Sequence, residues 1–232
     1  MEFETTVAEI IRRNRDLKSF RFSRPAPFQF LPGQFLMVTI SIGGEKKTEY
    51  FSISSSPTEE EYIEFTKRIT THEFSTALDN LQVGDWAYLN GPYGEFTFAG
   101  EYPKVVMIAG GIGITPFMSM IKCCTNNAIP AAIILIYGNR FEESIAFKEE
   151  LDLLMQRNRN LRVVHCLSHP GEAWKGRHGH LDLITIQEEV PDYRDAAFYL
   201  CGPPALVEDL EKILLAQEIP EDQVHVESFL GY

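Results

Sequence analysis

The stretch Met107–Pro116 reads Met-Ile-Ala-Gly-Gly-Ile-Gly-Ile-Thr-Pro and lies inside a run without charge, Val105–Ile121. Val105–Ala109 is short, apolar and β-branched at its start, the pattern of a parallel strand buried on both faces. Gly110, Gly111 and Gly113 then remove side chains where the backbone must turn sharply. Ile114-Thr115-Pro116 leads into a predicted helix, with Thr115 expected at the N-cap and Pro116 in the tolerant first turn. Such a strand–turn–helix leaves backbone N–H groups and the positive end of a helix dipole facing an anion, most economically a pyrophosphate. The spacing Gly111-x-Gly113-x-x-Pro116 departs from the ordinary dinucleotide fingerprint, because proline replaces its last glycine. A glycine turn with no ligand is the competing reading. A membrane span is excluded, since the run is short and is broken by three glycines and a proline.

A chain of 232 residues suits one large or two modest domains. Apolar residues at 44% and charged residues at 23% describe an ordinary globular composition. The start Met1-Glu2-Phe3-Glu4-Thr5 lacks the basic and apolar regions of a secretory signal. Cys123, Cys124, Cys166 and Cys201 have neither CxxC spacing nor an iron–sulfur ligand pattern, so free thiols and a cytoplasmic location are expected. His178-x-His180 has no third ligand nearby in sequence and reads as loop, so no metal site is expected. A net charge of −12 argues against nucleic acid or an anionic membrane as the main partner. One basic stretch, Arg12 to Arg24, either attracts an acidic partner or a cofactor phosphate, or blunts a strand edge.

The two halves of the chain have different periods. Residues 1–100 carry short β-like segments, Gln34–Ile42, Tyr50–Ser54, Tyr62–Ile69 and Trp86–Asn90, punctuated by Gly and Pro turns. This spacing predicts an antiparallel β-barrel, interrupted by one helix at Glu73–Leu81 that Thr70-x-x-Glu73 would open as a capping box. From residue 101 to 232 strand and helix alternate instead. Strands are expected at Val105–Ala109, Ala132–Tyr137, Leu161–Cys166, Ala197–Cys201 and Val224–Glu227. Helices are expected at Pro116–Cys124, Ile145–Arg157, Leu181–Glu189 and Pro204–Gln217. Repeated βα units imply a Rossmann-like parallel sheet whose ligands gather at the carboxyl ends of the strands. The Gly-rich loop and Cys201-Gly202-Pro203-Pro204 both fall there.

Four motifs stand in order: Tyr50-Phe51-Ser52-Ile53-Ser54-Ser55-Ser56-Pro57, Gly91-Pro92-Tyr93-Gly94-Glu95-Phe96, Gly110–Pro116 and Cys201–Pro204. Together they resemble the ferredoxin–NADP reductase superfamily, whose members pair a flavin-binding barrel with a pyridine-nucleotide domain. The resemblance implies FAD binding by residues 1–100 and NAD(P) binding by residues 101–232. It sets Phe51 and Ser52, flanked by Tyr50 and Ile53, against the flavin ring, with Ser52 at the hydride path. It docks the flavin pyrophosphate where the interrupting helix begins, on Phe74, Ser75 and Thr76, with Lys67 or Arg68 adding charge.

By the same resemblance Gly110, Gly111, Gly113, Ile114, Thr115 and Pro116 cradle the nucleotide phosphates. Cys201, with Gly202 and Pro203, sits near the nicotinamide carbon that gives up hydride; its other reading is a buried strand-end thiol. Glu227 matches the family's acidic residue near the C-terminus. Phe229 or Tyr232 either covers the flavin face or seals a surface groove. Arg140 suits a 2′-phosphate while Glu142 and Glu143 suit a ribose diol, which leans the choice between NADH and NADPH toward NADH. Two departures stand out: Glu49 occupies the place of the family's phosphate-binding Arg, and His72 that of a glycine.

The implied activity is a reductase that moves hydride from NAD(P)H to FAD and passes electrons to a separate acceptor, such as a ferredoxin or an oxygenase component. A flavin reductase using loosely held flavin as substrate, and a nucleotide-sensing module with a decayed flavin site, are the alternatives.

Overall fold

In the computed structural model, which describes residues 1–229, the change of period at about residue 100 becomes a change of architecture. Six antiparallel strands form one sheet: β1 (Glu2–Arg12), β2 (Leu17–Ser23), β3 (Phe35–Ile42), β4 (Glu45–Ser52), β5 (Tyr62–Arg68) and β6 (Trp86–Tyr93). Their order is β4-β3-β6-β1-β2-β5, and an isolated bridge between Ile53 and Phe65 brings the segment after β4 onto β5. The sheet thus curls into the expected barrel. Alternation drives the curl. Leu36, Val38 and Ile40 of β3 are fully buried, while Met37 between them is exposed. The barrel core is aromatic, with Phe20, Phe22 and Phe51 each stacked on Phe65.

Helix α1 (Glu73–Asn80) follows β5 as expected, but its N-cap is His72, without a side-chain cap. The capping box does not form. The Ser75 hydroxyl instead accepts the Thr70 N–H at 2.7 Å, so Thr70 belongs to the turn before the helix.

The second sheet is wholly parallel, in the order β10-β9-β8-β7-β11-β12. Its strands are β7 (Lys104–Gly110), β8 (Ala132–Asn139), β9 (Leu161–Leu167), β10 (Arg177–His178), β11 (Ala197–Gly202) and β12 (Val224–Ser228). Helices α2 (Thr115–Asn126), α3 (Lys148–Arg157), α4 (Leu183–Glu189) and α5 (Pro204–Ala216) alternate with them. Val106, Ile108, Ile134 and Ile136 share a core with Ile186 of α4 and Val207, Leu210 and Leu214 of α5. The intervening Val105, Met107, Ile133 and Leu135 are equally buried on the opposite face.

Three local expectations fail for identifiable reasons. A 3-10 turn over Gly111–Ile114 runs directly into α2, so Thr115 is a helical residue and not an N-cap. Helix α3 starts at Lys148 rather than Ile145, because Phe147 takes a left-handed conformation at φ 58°. Arg177-His178 is a short strand on β9, where a loop was expected. The chain divides into two compact units, Met1–Ala99 with Thr115–Cys123, and Gly100–Ile114 with the chain from Cys124 onward.

Candidate functional site

In the second unit the predicted nucleotide residues converge at the carboxyl ends of β7 and β11. A Cβ added at Gly113 would lie 2.4 Å from the Cys201 carbonyl oxygen, and one at Gly110 would lie 2.5 Å from the Leu206 side chain. The loop therefore rests directly on the Cys201-Gly202 turn, and bare backbone is required for it to do so. Gly111 differs. Its φ is +54° and nothing lies within 4 Å of a Cβ placed there, so its conformation demands glycine while the space beside it stays open. This open cradle fits a dinucleotide phosphate. Ile114 is fully buried, so it packs the base of the loop rather than lining the cradle.

Cys201 pairs with Glu227 across β11 and β12, and the Phe229 N–H donates to the Gly202 carbonyl at 3.0 Å. Cys201, Gly202, Pro203, Glu227 and Phe229 thus share one strand end; Tyr232 lies outside the described residues. Burial, with a smaller contribution from Glu227, pushes the Cys201 thiol well up, so it stays protonated. Next along the sheet, Asn139 ends β8 with both side-chain amide atoms buried and without a hydrogen-bond partner. It is a polar group at the sheet's carboxyl end that is left for a ligand, and sequence reading missed it. Its place at the end of a parallel strand was the available signal. Arg140 is exposed, its guanidinium 5.6 Å from the Phe141 ring. Glu142 is held by Lys148 at 2.6 Å.

In the first unit the Phe51 ring stacks on Phe65 at 4.4 Å and lies 6.0 Å from Phe74, forming an apolar wall where β4, β5 and α1 meet. Ser52 and Ile53 are buried beside it. Tyr50 alternates to the other strand face, 62% exposed and paired with Met37, so the structure does not bring Tyr50 and Phe51 together. The same alternation separates Lys67 from Arg68. Lys67 shares the Phe65 face, whereas the Arg68 Nε lies 3.7 Å from Asp16 on the other. Glu49 shares the Phe51 face. Ser75 is buried and its hydroxyl is taken by Thr70, while the first turn of α1 has no side-chain cap. Apolar wall, uncapped N–H groups and Lys67 fit a flavin nucleotide, whereas Glu49 on the Phe51 face and Glu73 in the first turn of α1 carry the opposite charge to that expected beside phosphates.

The basic stretch proves to be mostly internal. Arg13 and Arg21 both bond the fully buried Glu64, and Arg24 bonds the backbone carbonyls of Phe28, Pro57 and Glu59. Sequence reading missed Glu64, because an acidic residue between apolar ones on a strand ordinarily faces water.

Residues 4–98 match an oxidoreductase FAD-binding domain, and residues 107–212 an oxidoreductase NAD-binding domain. The chain is 31% identical to the glycine betaine monooxygenase reductase subunit of Chromohalobacter salexigens, over 95% of the chain and 62% of that protein. It is also 31% identical to the propane 2-monooxygenase reductase component of Mycolicibacterium goodii, over 98% of the chain and 68% of that protein. The chain therefore spans less than two thirds of the length of the first of these relatives. A ferredoxin NADP+ reductase from Neisseria gonorrhoeae, solved with bound FAD and NADP, superposes with a TM-score of 0.84 at 22% identity, covering 98% of each chain. No helix among the described residues is long and apolar enough to cross a membrane.

Proposed function

For a chain that belongs to the ferredoxin–NADP reductase superfamily, we propose a reductase that takes electrons from NADH or NADPH, through FAD, to a separate acceptor. The observation that carries this reading is the Gly110–Gly113 loop seated on the Cys201–Gly202 turn, which leaves an open cradle at Gly111. When bound, the two cofactors supply hydride transfer from nicotinamide to flavin and onward electron transfer. The chain's own residues bind, align and shield them. Gly110, Gly111 and Gly113 offer backbone N–H groups to the dinucleotide phosphates, at the entry to the 3-10 turn and α2. Ile114, Thr115 and Pro116 fix the direction of that entry. Asn139 and Arg140 face the adenosine end from the adjoining strand.

Cys201, with Gly202 and Pro203, shapes the nicotinamide pocket as a neutral, polarizable thiol, and Glu227 and Phe229 bound it. Phe51 gives the flavin ring an apolar face, with Ile53 packed behind it. Ser52 presents a hydroxyl to its reactive edge. Phe74, Ser75 and Thr76 at the start of α1 hold the flavin phosphates, and Lys67, which shares the Phe65 face, is the cation that assists. Residues 1–100 supply the groups that hold the flavin and residues 101–232 those that hold the nucleotide. The acceptor is a separate protein, of the kind served by the oxygenase reductase components among the relatives, and the setting is the cytoplasm.

The test is a steady-state assay of the FAD-reconstituted chain with each nucleotide and a panel of acceptors: a one-electron dye, a ferredoxin and free flavin. Turnover with the dye and the ferredoxin is the expected result. Turnover with free flavin alone would make this a flavin reductase. No turnover with any acceptor would overturn the reading.

A further inference from the structure

Behind the Phe51–Ser52 segment lies a carboxylate with no solvent exposure, that of Glu64 on β5. Arg13 reaches its two oxygens at 2.9 and 3.1 Å, and the Arg21 Nε meets it at 2.8 Å. Burial alone would push this carboxyl up, but Lys122, Arg13 and Arg21 outweigh it and hold the group below the usual range, so it is ionised. What the carboxylate holds is Ser54, two residues beyond Ser52. The Ser54 hydroxyl donates to Glu64 Oε1 at 3.0 Å, and the Ser54 N–H donates to the Glu64 carbonyl at 2.7 Å. The Glu64 N–H in turn donates to the Ser55 hydroxyl at 2.9 Å. From α2, Lys122, 4% exposed, sets its ammonium 3.5 Å from the Ser54 carbonyl and 3.7 Å from Glu59. Thr66 and Ser19 complete a chain of hydroxyls running from Ser54 to Arg13.

A buried charge cluster of this size is poor value as stability alone, since apolar residues of similar volume fill a core as well or better. Fully satisfied, it fixes one geometry, and Glu64, Lys122 and Thr66 each carry it directly to Ser54. We propose that Glu64 and Lys122 are positioning residues for the flavin site: they pin Ser54, and through it hold Phe51, Ser52 and Ile53 in the conformation that receives the flavin ring. This rests on the assignment of that segment to flavin.

The test compares the full chain with Glu64→Gln and Lys122→Met. It measures FAD affinity by titration and the visible circular dichroism of bound flavin, at a temperature where far-ultraviolet spectra report folded protein. Glu64→Gln should weaken FAD about tenfold and change the visible band shape, because a neutral amide cannot satisfy two guanidiniums and Ser54 together. Lys122→Met, which leaves the Glu64 carboxylate in place, should give a smaller change in both and carries the test if Glu64→Gln does not fold. Variants with unchanged FAD affinity and visible dichroism that lose only thermal stability would overturn the proposal. A wild-type chain that binds no FAD would overturn the functional assignment itself and this proposal with it.

Discussion

The glycine loop of the second unit and the serine segment of the first are built from opposite materials. At Gly110–Gly113 the shape is set by missing side chains, through neighbours that follow from strand order, and a Cβ at Gly113 would collide with the Cys201 carbonyl at 2.4 Å. At Phe51–Ser55 the shape is set by side chains brought from the turn after β1, from β2, β5 and α2, gathered around the ionised Glu64. A backbone-built site fails sharply, at single positions, when a methyl group is added. A side-chain-built site should lose function in steps as partners are removed.

The largest effect should come from the glycine loop. Gly113→Val should prevent the second unit from folding stably, because backbone carbonyls cannot yield as flexible side chains do. Gly111→Val, strained at its positive φ by about 1–2 kcal/mol but free of collisions, should fold, bind FAD and lose nucleotide binding. Thermal melts with nucleotide and FAD titrations would check both. Normal nucleotide affinity in Gly111→Val would detach the loop from the phosphates.

Cys201→Ala should slow flavin reduction about tenfold while changing nucleotide affinity less than about twofold, since the buried thiol acts on alignment rather than as a thiolate. Rapid-mixing traces across nucleotide concentrations separate the two quantities, and a flat pH profile for the step through the ordinary thiol range is expected. Glu49→Arg should tighten FAD by about 1 kcal/mol, by replacing a carboxylate beside the phosphates with a cation on the Phe51 face. Calorimetry at low and high salt should show the gain shrinking as salt rises, and no gain at low salt would place Glu49 away from the phosphates.

The smallest effect is on stability against pH. Burial holds His165 below its ordinary value of 6.5, so the unfolded chain binds more protons there. Its share of stability should be complete above pH 6.5 and be lost as pH falls below it. Glu64, held low, adds a second loss only below its ordinary 4.5. His165→Phe should flatten melting temperature against pH between these windows, leaving the dependence of His225, which burial also holds low.

The same contrast explains what the sequence disclosed. Runs such as Val105–Ala109 and Ala132–Tyr137 announce a parallel sheet, because strands covered on both faces must be apolar throughout. Glycines that allow close approach are visible as glycines. Helix starts were harder to read: Thr115 and Ile145 look like entry points until the 3-10 turn at Gly111 and the left-handed Phe147 fix the entries elsewhere. The Glu64 network was illegible, because Arg13 and Glu64 are 51 residues apart and nothing local marks Glu64 as buried. Tyr50 against Phe51, and Lys67 against Arg68, needed strand faces that the motif alone does not supply.

Electrons passing from nucleotide to flavin within this chain can be followed directly. The FAD-reconstituted protein is mixed without oxygen with NADH, and separately with NADPH, while the flavin's visible absorbance is followed. Rapid loss of that absorbance with at least one nucleotide, abolished in Gly111→Val, is predicted. Flavin that stays bound and fully coloured with both nucleotides would contradict the account.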